Sequence, residues 1–185
     1  MPLQGRLMGT GGKGLYSVVA WPTAELAEWL LEVQGRLGLC GFGEPHLNLR
    51  VPFEYAGDPQ TLIQEVRRCL DGAAPFEVEF LRWRKFPHII FLEYALSGPL
   101  QRLHERLLSI PGAPGSPYDG ETFIPHLSLA IGVCAWAEND VWETLQTLNP
   151  PQSRFAVSAT SLTRESGGEL REVHTFPLGE VLVGV

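Results

Sequence analysis

Two pentapeptides, PHLNL at residues 45–49 and PHLSL at 125–129, constrain this chain more than any other feature in it. Each sets a histidine and a hydrogen-bonding residue two apart in an apolar, β-favouring run, where a sheet would ordinarily bury Val or Leu. Strand side chains alternate faces, so His46 and Asn48 point one way, as do His126 and Ser128. Leu47, Leu49, Leu127 and Leu129 then face the other way and supply the packing.

The surroundings recur as well. YSVVAW (16–21) reads as a strand, and Thr23 caps a helix whose apolar positions Leu26, Trp29, Leu30, Val33 and Leu37 run at a 3.6-residue period to Gly38. The first histidine strand follows. Asp58 and Pro59 open a second helix with Leu62, Ile63, Val66, Cys69 and Leu70 inward, and FEVEFLRWRK (76–85) is a strand. The order then repeats: a strand at 88–95, a helix opened by Pro99, the second histidine strand within 123–132, a helix over 137–148 and a strand over 154–163. A last strand, 170–178, pairs back across Ser166-Gly167-Gly168 as a hairpin. The expected fold is α+β: a duplicated, bilobal arrangement of two pseudo-symmetric antiparallel-sheet lobes, helices outside, with the two HxN/Sx strands in a central cleft. Its repeats are expected at about 15–86 and 87–165 within one domain, after a flexible lead-in over 1–14.

The net charge of −7 disfavours broad RNA binding, which needs an excess of Lys and Arg along a face. A few focused arginines can still hold one or two phosphates. The three cysteines, Cys40, Cys69 and Cys134, form no CxxC pair and are read as reduced packing residues. GTGGKG (9–14) fails as a phosphate loop, because Gly14 follows Lys13 where Ser or Thr is needed. No membrane span or secretion signal is visible, so a cytoplasmic location is expected, and no coiled-coil stripe or exposed apolar helix points to a dimer, so a monomer is expected.

Should the halves be related by a pseudo-two-fold, the polar pairs converge on one pocket, two donors for non-bridging phosphate oxygens and two imidazoles on opposite sides of phosphorus. In-line hydrolysis of a phosphodiester needs a base for the attacking water and an acid for the leaving alkoxide, and an imidazole near pKa 6.5 serves either task.

The duplicated H-x-[N/S]-x tetrapeptides, with the Pro before each histidine, the turn at Phe86-Pro87 and the closing FPLG at 176–179, resemble the two-histidine phosphoesterase superfamily. The likeness is to its 2′-5′ RNA ligase-like members, the RNA 2′,3′-cyclic phosphodiesterases, and covers Tyr16 to Leu178. It implies a bilobal enzyme without metal or cofactor that opens the 2′,3′-cyclic phosphate of RNA ends or small nucleotides to a 2′-phosphate, and in some members joins RNA ends through a 2′-5′ linkage. His46 and His126 would be the catalytic imidazoles, with a lean to His126 as base and His46 as acid. Ser128 matches the family's hydroxyl position. Asn48 departs from its Thr or Ser, and its amide offers a donor of different geometry.

Further residues carry secondary expectations. By alternation Arg50 shares the face of Asn48, either clamping the phosphate or ending the strand in solvent. Phe86 offers a face to a nucleobase. Arg82 and Arg84 line the cleft rim or end a solvated strand. His88, His104 and His174 are given no catalytic role, His104 being placed on a helix surface. A metal site of Glu44, His46 and His126 lacks any supporting ligand spacing. Two competing functions remain: a non-catalytic module that captures a nucleotide or RNA end, and a phosphodiesterase for another cyclic or 2′-5′ diester.

Overall fold

The computed structural model describes residues 14–167 and 169–179. The expected lead-in and its glycine run lie outside them, apart from Gly14, which opens the first strand. In chain order the elements are β1 (Gly14–Ala20), α1 (Ala24–Leu37), β2 (Leu47–Tyr55), α2 (Pro59–Leu70), β3 (Phe76–Phe86), β4 (Ile89–Tyr94), α3 (Gly98–Leu108), β5 (His126–Ile131), α4 (Glu138–Gln146), β6 (Arg154–Val157), β7 (Ala159–Ser166) and β8 (Glu169–Pro177).

Local chemistry sets the helix ends. Thr23, Asp58 and Ser97 each accept a hydrogen bond from the backbone N–H three residues on, and each such cap contributes about 1 kcal/mol. Pro59 and Pro99 sit in first turns, where a missing N–H costs nothing. Gly38 closes α1 at φ 63°, a left-handed conformation that glycine adopts without strain. The apolar stripes then meet the sheet: Leu26 and Leu30, Leu62 and Val66, Leu100 and Leu107 are fully buried, as are Leu47, Leu49, Leu127 and Leu129 beneath them.

The strands form one sheet in the order β6-β3-β4-β5-β2-β1-β7-β8, each pairing antiparallel. The two histidine strands lie at its centre and meet through the pair Leu47↔Leu127. Around that pair the halves correspond, β2-β1-β7-β8 against β5-β4-β3-β6. The repeats in sequence are not the lobes in space, however. The third strand of the first repeat, β3, pairs with β4 and β6 of the second, while β7 pairs with β1.

The single strand expected over 154–163 is two. β6 lies on β3 at one end of the sheet and β7 between β1 and β8 at the other, with Ser158 alone between them. One residue spans roughly 3.3 Å. The sheet must therefore curl enough to bring the last residue of β6 next to the first residue of β7.

Both histidine strands carry a β-bulge at the same place. Val18 pairs with Arg50 but Val19 with Asn48, leaving Leu49 as the extra residue of β2. Ile90 pairs with Ala130 but Phe91 with Ser128, leaving Leu129 as the extra residue of β5. In each half a buried side chain on a helix takes up the carbonyl of that extra residue: His104 Nδ1 of α3 donates to Leu49 O at 2.8 Å, and Gln34 Nε2 of α1 to Leu129 O at 2.7 Å. His104 is thus 2% exposed rather than on the helix surface. It lies four residues after Leu100 and one after Leu103, inside the buried stripe, stacks on Phe123 at 3.8 Å and accepts from Gly120 N–H through Nε2.

Candidate active site

Each motif histidine is fixed by the residue two before it. His46 Nδ1 donates to Glu44 O at 2.7 Å, and His126 Nδ1 to Ile124 O at 2.7 Å. A carbonyl can only accept, so the neutral rings carry their proton on Nδ1 and leave Nε2 with a lone pair. Pro45 and Pro125, both buried, link acceptor to histidine in the two halves and hold the geometry.

The antiparallel register through Leu47↔Leu127 sets His46 across from Ser128 and Asn48 across from His126. All four are half-buried on one face, opposite the four buried leucines. The imidazoles therefore occupy one diagonal of a square and the two donors the other. Asn48 buries its Oδ1 without a partner, an arrangement that costs about 1–3 kcal/mol in general.

Burial lowers the pKa of both histidines below 6.5, against the opposing pull of their backbone hydrogen bonds. Charge then separates them. His126 is raised in part by the Glu93 carboxylate, whereas His46 is lowered further by His126.

Their neighbours differ accordingly. Glu93, beside His126 in the register, is buried and accepts from Arg82 Nε at 2.8 Å and Arg84 Nη1 at 3.0 Å. Phe91 packs on His126 at 4.7 Å, and Phe86, 42% exposed, packs on Phe91 at 5.7 Å with the Arg84 guanidinium over its ring. On the other side His46 meets the Trp21 indole at 6.2 Å. Trp21 Nε1 donates to Ser161 Oγ at 2.9 Å, and Ser161 Oγ donates to Glu172 Oε2 at 2.7 Å. Hydrogen bonds from Ser161 and Thr175 hold the Glu172 carboxyl below its usual range.

Arg50 is a correction. Its guanidinium donates to Leu107 O, Ala113 O and Pro114 O and lies over the Phe53 ring at 4.1 Å, fully buried on the helix side. The bulge at Leu49 breaks the alternation that placed it beside Asn48. Arg82 and Arg84, in contrast, do stand on the groove face. Trp21, Glu93, Ser161 and Glu172 went unremarked in the sequence, although a glutamate within the apolar run IIFLEY is a visible signal. Glu44 gives its carbonyl, not its carboxylate, to His46. Among the described residues no three His, Cys, Asp or Glu converge as a metal site.

A family model described as the 2′-5′ RNA ligase superfamily matches residues 23–169. No curated protein sequence matches the chain significantly. Among solved structures, LigT of E. coli complexed with 3′-AMP superposes with a TM-score of 0.60 at 14% identity, covering 90% of this chain and 99% of that one. The same protein complexed with ATP gives 0.62 at 18% identity, covering 92% and 100%. TT0787 of Thermus thermophilus gives 0.59 at 18% identity, covering 89% and 97%. At such identities these likenesses show a shared fold.

Proposed function

The chain belongs to the 2′-5′ RNA ligase superfamily, and on that premise we propose that it is a phosphodiesterase that opens 2′,3′-cyclic phosphates of RNA ends or nucleotides to 2′-phosphates, without metal or cofactor. The observation that carries this reading is the diagonal of two imidazoles, each pinned through Nδ1 to the carbonyl two residues back. It leaves the Nε2 atom of each ring without a proton on the groove face, and in this reading the Asn48 amide and Ser128 hydroxyl on the other diagonal donate to the non-bridging oxygens.

His46 takes the role of base. Its Nε2 removes a proton from water as the water oxygen bonds to phosphorus, and the P–O3′ bond breaks in line. His126 acts as acid, giving its Nε2 proton to the departing 3′ oxygen, so that a 3′-hydroxyl and a 2′-phosphate result. The assignment reverses the lean from sequence, and its reason is the Glu93 carboxylate that favours imidazolium at His126. In 2′-5′ ligation a 5′-hydroxyl takes the place of water and the 3′ oxygen leaves again, so the two roles are unchanged; they exchange when the 3′-hydroxyl cleaves the 2′-5′ linkage back to the cyclic phosphate.

The test is phosphorus NMR of a 2′,3′-cyclic mononucleotide and of a short RNA ending in the cyclic phosphate, in EDTA, with wild type, His46→Ala and His126→Ala. Conversion to the 2′-phosphate is expected in wild type, with each variant slower by about 10²–10⁴-fold. Activity abolished by the chelator and restored by a metal would sink the mechanism. Binding of either substrate without turnover would instead point to a capture module.

A further inference from the structure

We propose that Arg82 and Arg84, oriented by Glu93, form a second phosphate subsite, so that the preferred substrate carries a phosphate beyond the one that reacts. This rests on the cyclic phosphodiesterase reading above and adds specificity residues to it. The register places the two arginines in rows with the reacting groups: His126, Glu93 and Arg82 lie across three neighbouring strands, and Ser128, Phe91 and Arg84 form the next row on the same face. Two strand spacings are roughly 10 Å. Both guanidiniums are held on Glu93, which stands on the strand between, so they lie nearer His126 than that full span.

The ion pairing is uneven in charge. Each oxygen of the buried Glu93 carboxylate accepts from one arginine, so two cations meet one anion. Glu93 engages Arg82 through Nε and Arg84 through Nη1, so both terminal nitrogens of Arg82 and the Nε and Nη2 of Arg84 are left without a hydrogen-bond partner among the described residues. The Arg82 side chain is 61% exposed and that of Arg84 33%. What stands beside His126 is therefore a pair of pre-aimed guanidinium forks with one surplus positive charge, in a chain whose net charge is −7. Such forks match the planar geometry of phosphate oxygens.

The other wall excludes the same ligand. Near His46 the groove offers the Glu172 carboxylate with Ser161 and Thr175, which suits hydroxyls and repels phosphate. The groove thus has a direction. The phosphate on the 5′ side of the reacting ribose runs over β3, and Phe86, under Arg84, lies along that path.

The experiment compares kcat/KM for a 2′,3′-cyclic mononucleoside phosphate lacking a 5′-phosphate with that for a dinucleotide ending in the cyclic phosphate. Wild type is expected to prefer the dinucleotide. Arg82→Ala and Arg84→Ala should each cut that preference by roughly tenfold, chiefly through KM, as loss of a charge-assisted contact does. Arg84→Lys, which keeps the charge and loses the fork, should fall between. Thermal melts confirm that the variants fold. Equal losses on both substrates, or a wild type with no preference, would overturn the subsite while leaving the reaction intact. Turnover of neither substrate by wild type would instead remove the reaction itself.

Discussion

At the scale of single residues, the two histidines are near copies in geometry and opposites in setting. Both have their Nδ1 proton committed to a carbonyl two residues back, and both have a pKa below 6.5 through burial. A base works above its pKa and an acid below, so a pair lowered together gives a bell whose maximum lies below pH 6.5. Glu93→Gln removes the carboxylate that raises His126, so the alkaline limb of kcat/KM should move to lower pH while the acid limb, set by His46, moves less. A profile of the cyclic mononucleotide reaction from about pH 4.5 to 8.5 checks this, and a shift confined to the acid limb would return the acid role to His46. The tetrapeptides announced these four side chains directly, because alternation is reliable over three residues. Asn48, with its buried and unpaired Oδ1, keeps a cost that an apolar residue would avoid.

At the scale of elements, the bulges decide which residues serve the site. An extra residue at Leu49 and at Leu129 lets the histidine and its donor face the groove while the next side chain turns under the helices. In β2 that side chain is Arg50, whose three carbonyl bonds strap the end of α3 and the following loop to the strand. Arg50→Lys keeps the charge but not the fork, and leaves at least one buried carbonyl unpaired. A loss of about 1–3 kcal/mol in urea unfolding is expected, with kcat for the folded enzyme within a few-fold of wild type. A fall in kcat of a hundredfold or more without lost stability would restore Arg50 as a phosphate clamp. Periodicity and caps made the helices legible, down to Thr23 and Asp58. They could not show the bulges, since an extra residue leaves the apolar pattern of HLNLRV unbroken, nor the break at Ser158, which sits in a run that alternates straight through. His104 differs from its expected surface position for another reason: it lies inside the buried stripe, where the carbonyl of the bulge at Leu49 needs a buried donor, and a bulge leaves no mark in the sequence.

At the scale of the whole molecule, duplication yields symmetry of backbone and asymmetry of charge. The repeats exchange their third strands, so each histidine is flanked by strands from both copies, and the two flanks have diverged into an arginine wall at β3 and an acidic corner at β8. The twofold plan was legible in the recurring element order; the exchange was not, because pairing across repeats leaves no mark on either one. Electrostatics beyond this groove run against RNA. A net charge of −7 repels a polyanion, and at physiological salt charges act over roughly 8 Å, so a favourable wall cannot recruit phosphates far from it. Each phosphate held on a single strand contributes about −0.7 to the slope of log affinity against log salt. Two held phosphates give a shallow slope, near about −1.4 at most. Substrate length should therefore matter once: kcat/KM rises from the cyclic mononucleoside to the dinucleotide, then stays level or falls for RNAs of about twenty nucleotides with the same cyclic end. Measuring this series at low and physiological salt checks it. A continued tenfold rise with length, with a slope steepening in proportion, would mean that the chain holds RNA along a track that its charge distribution does not disclose.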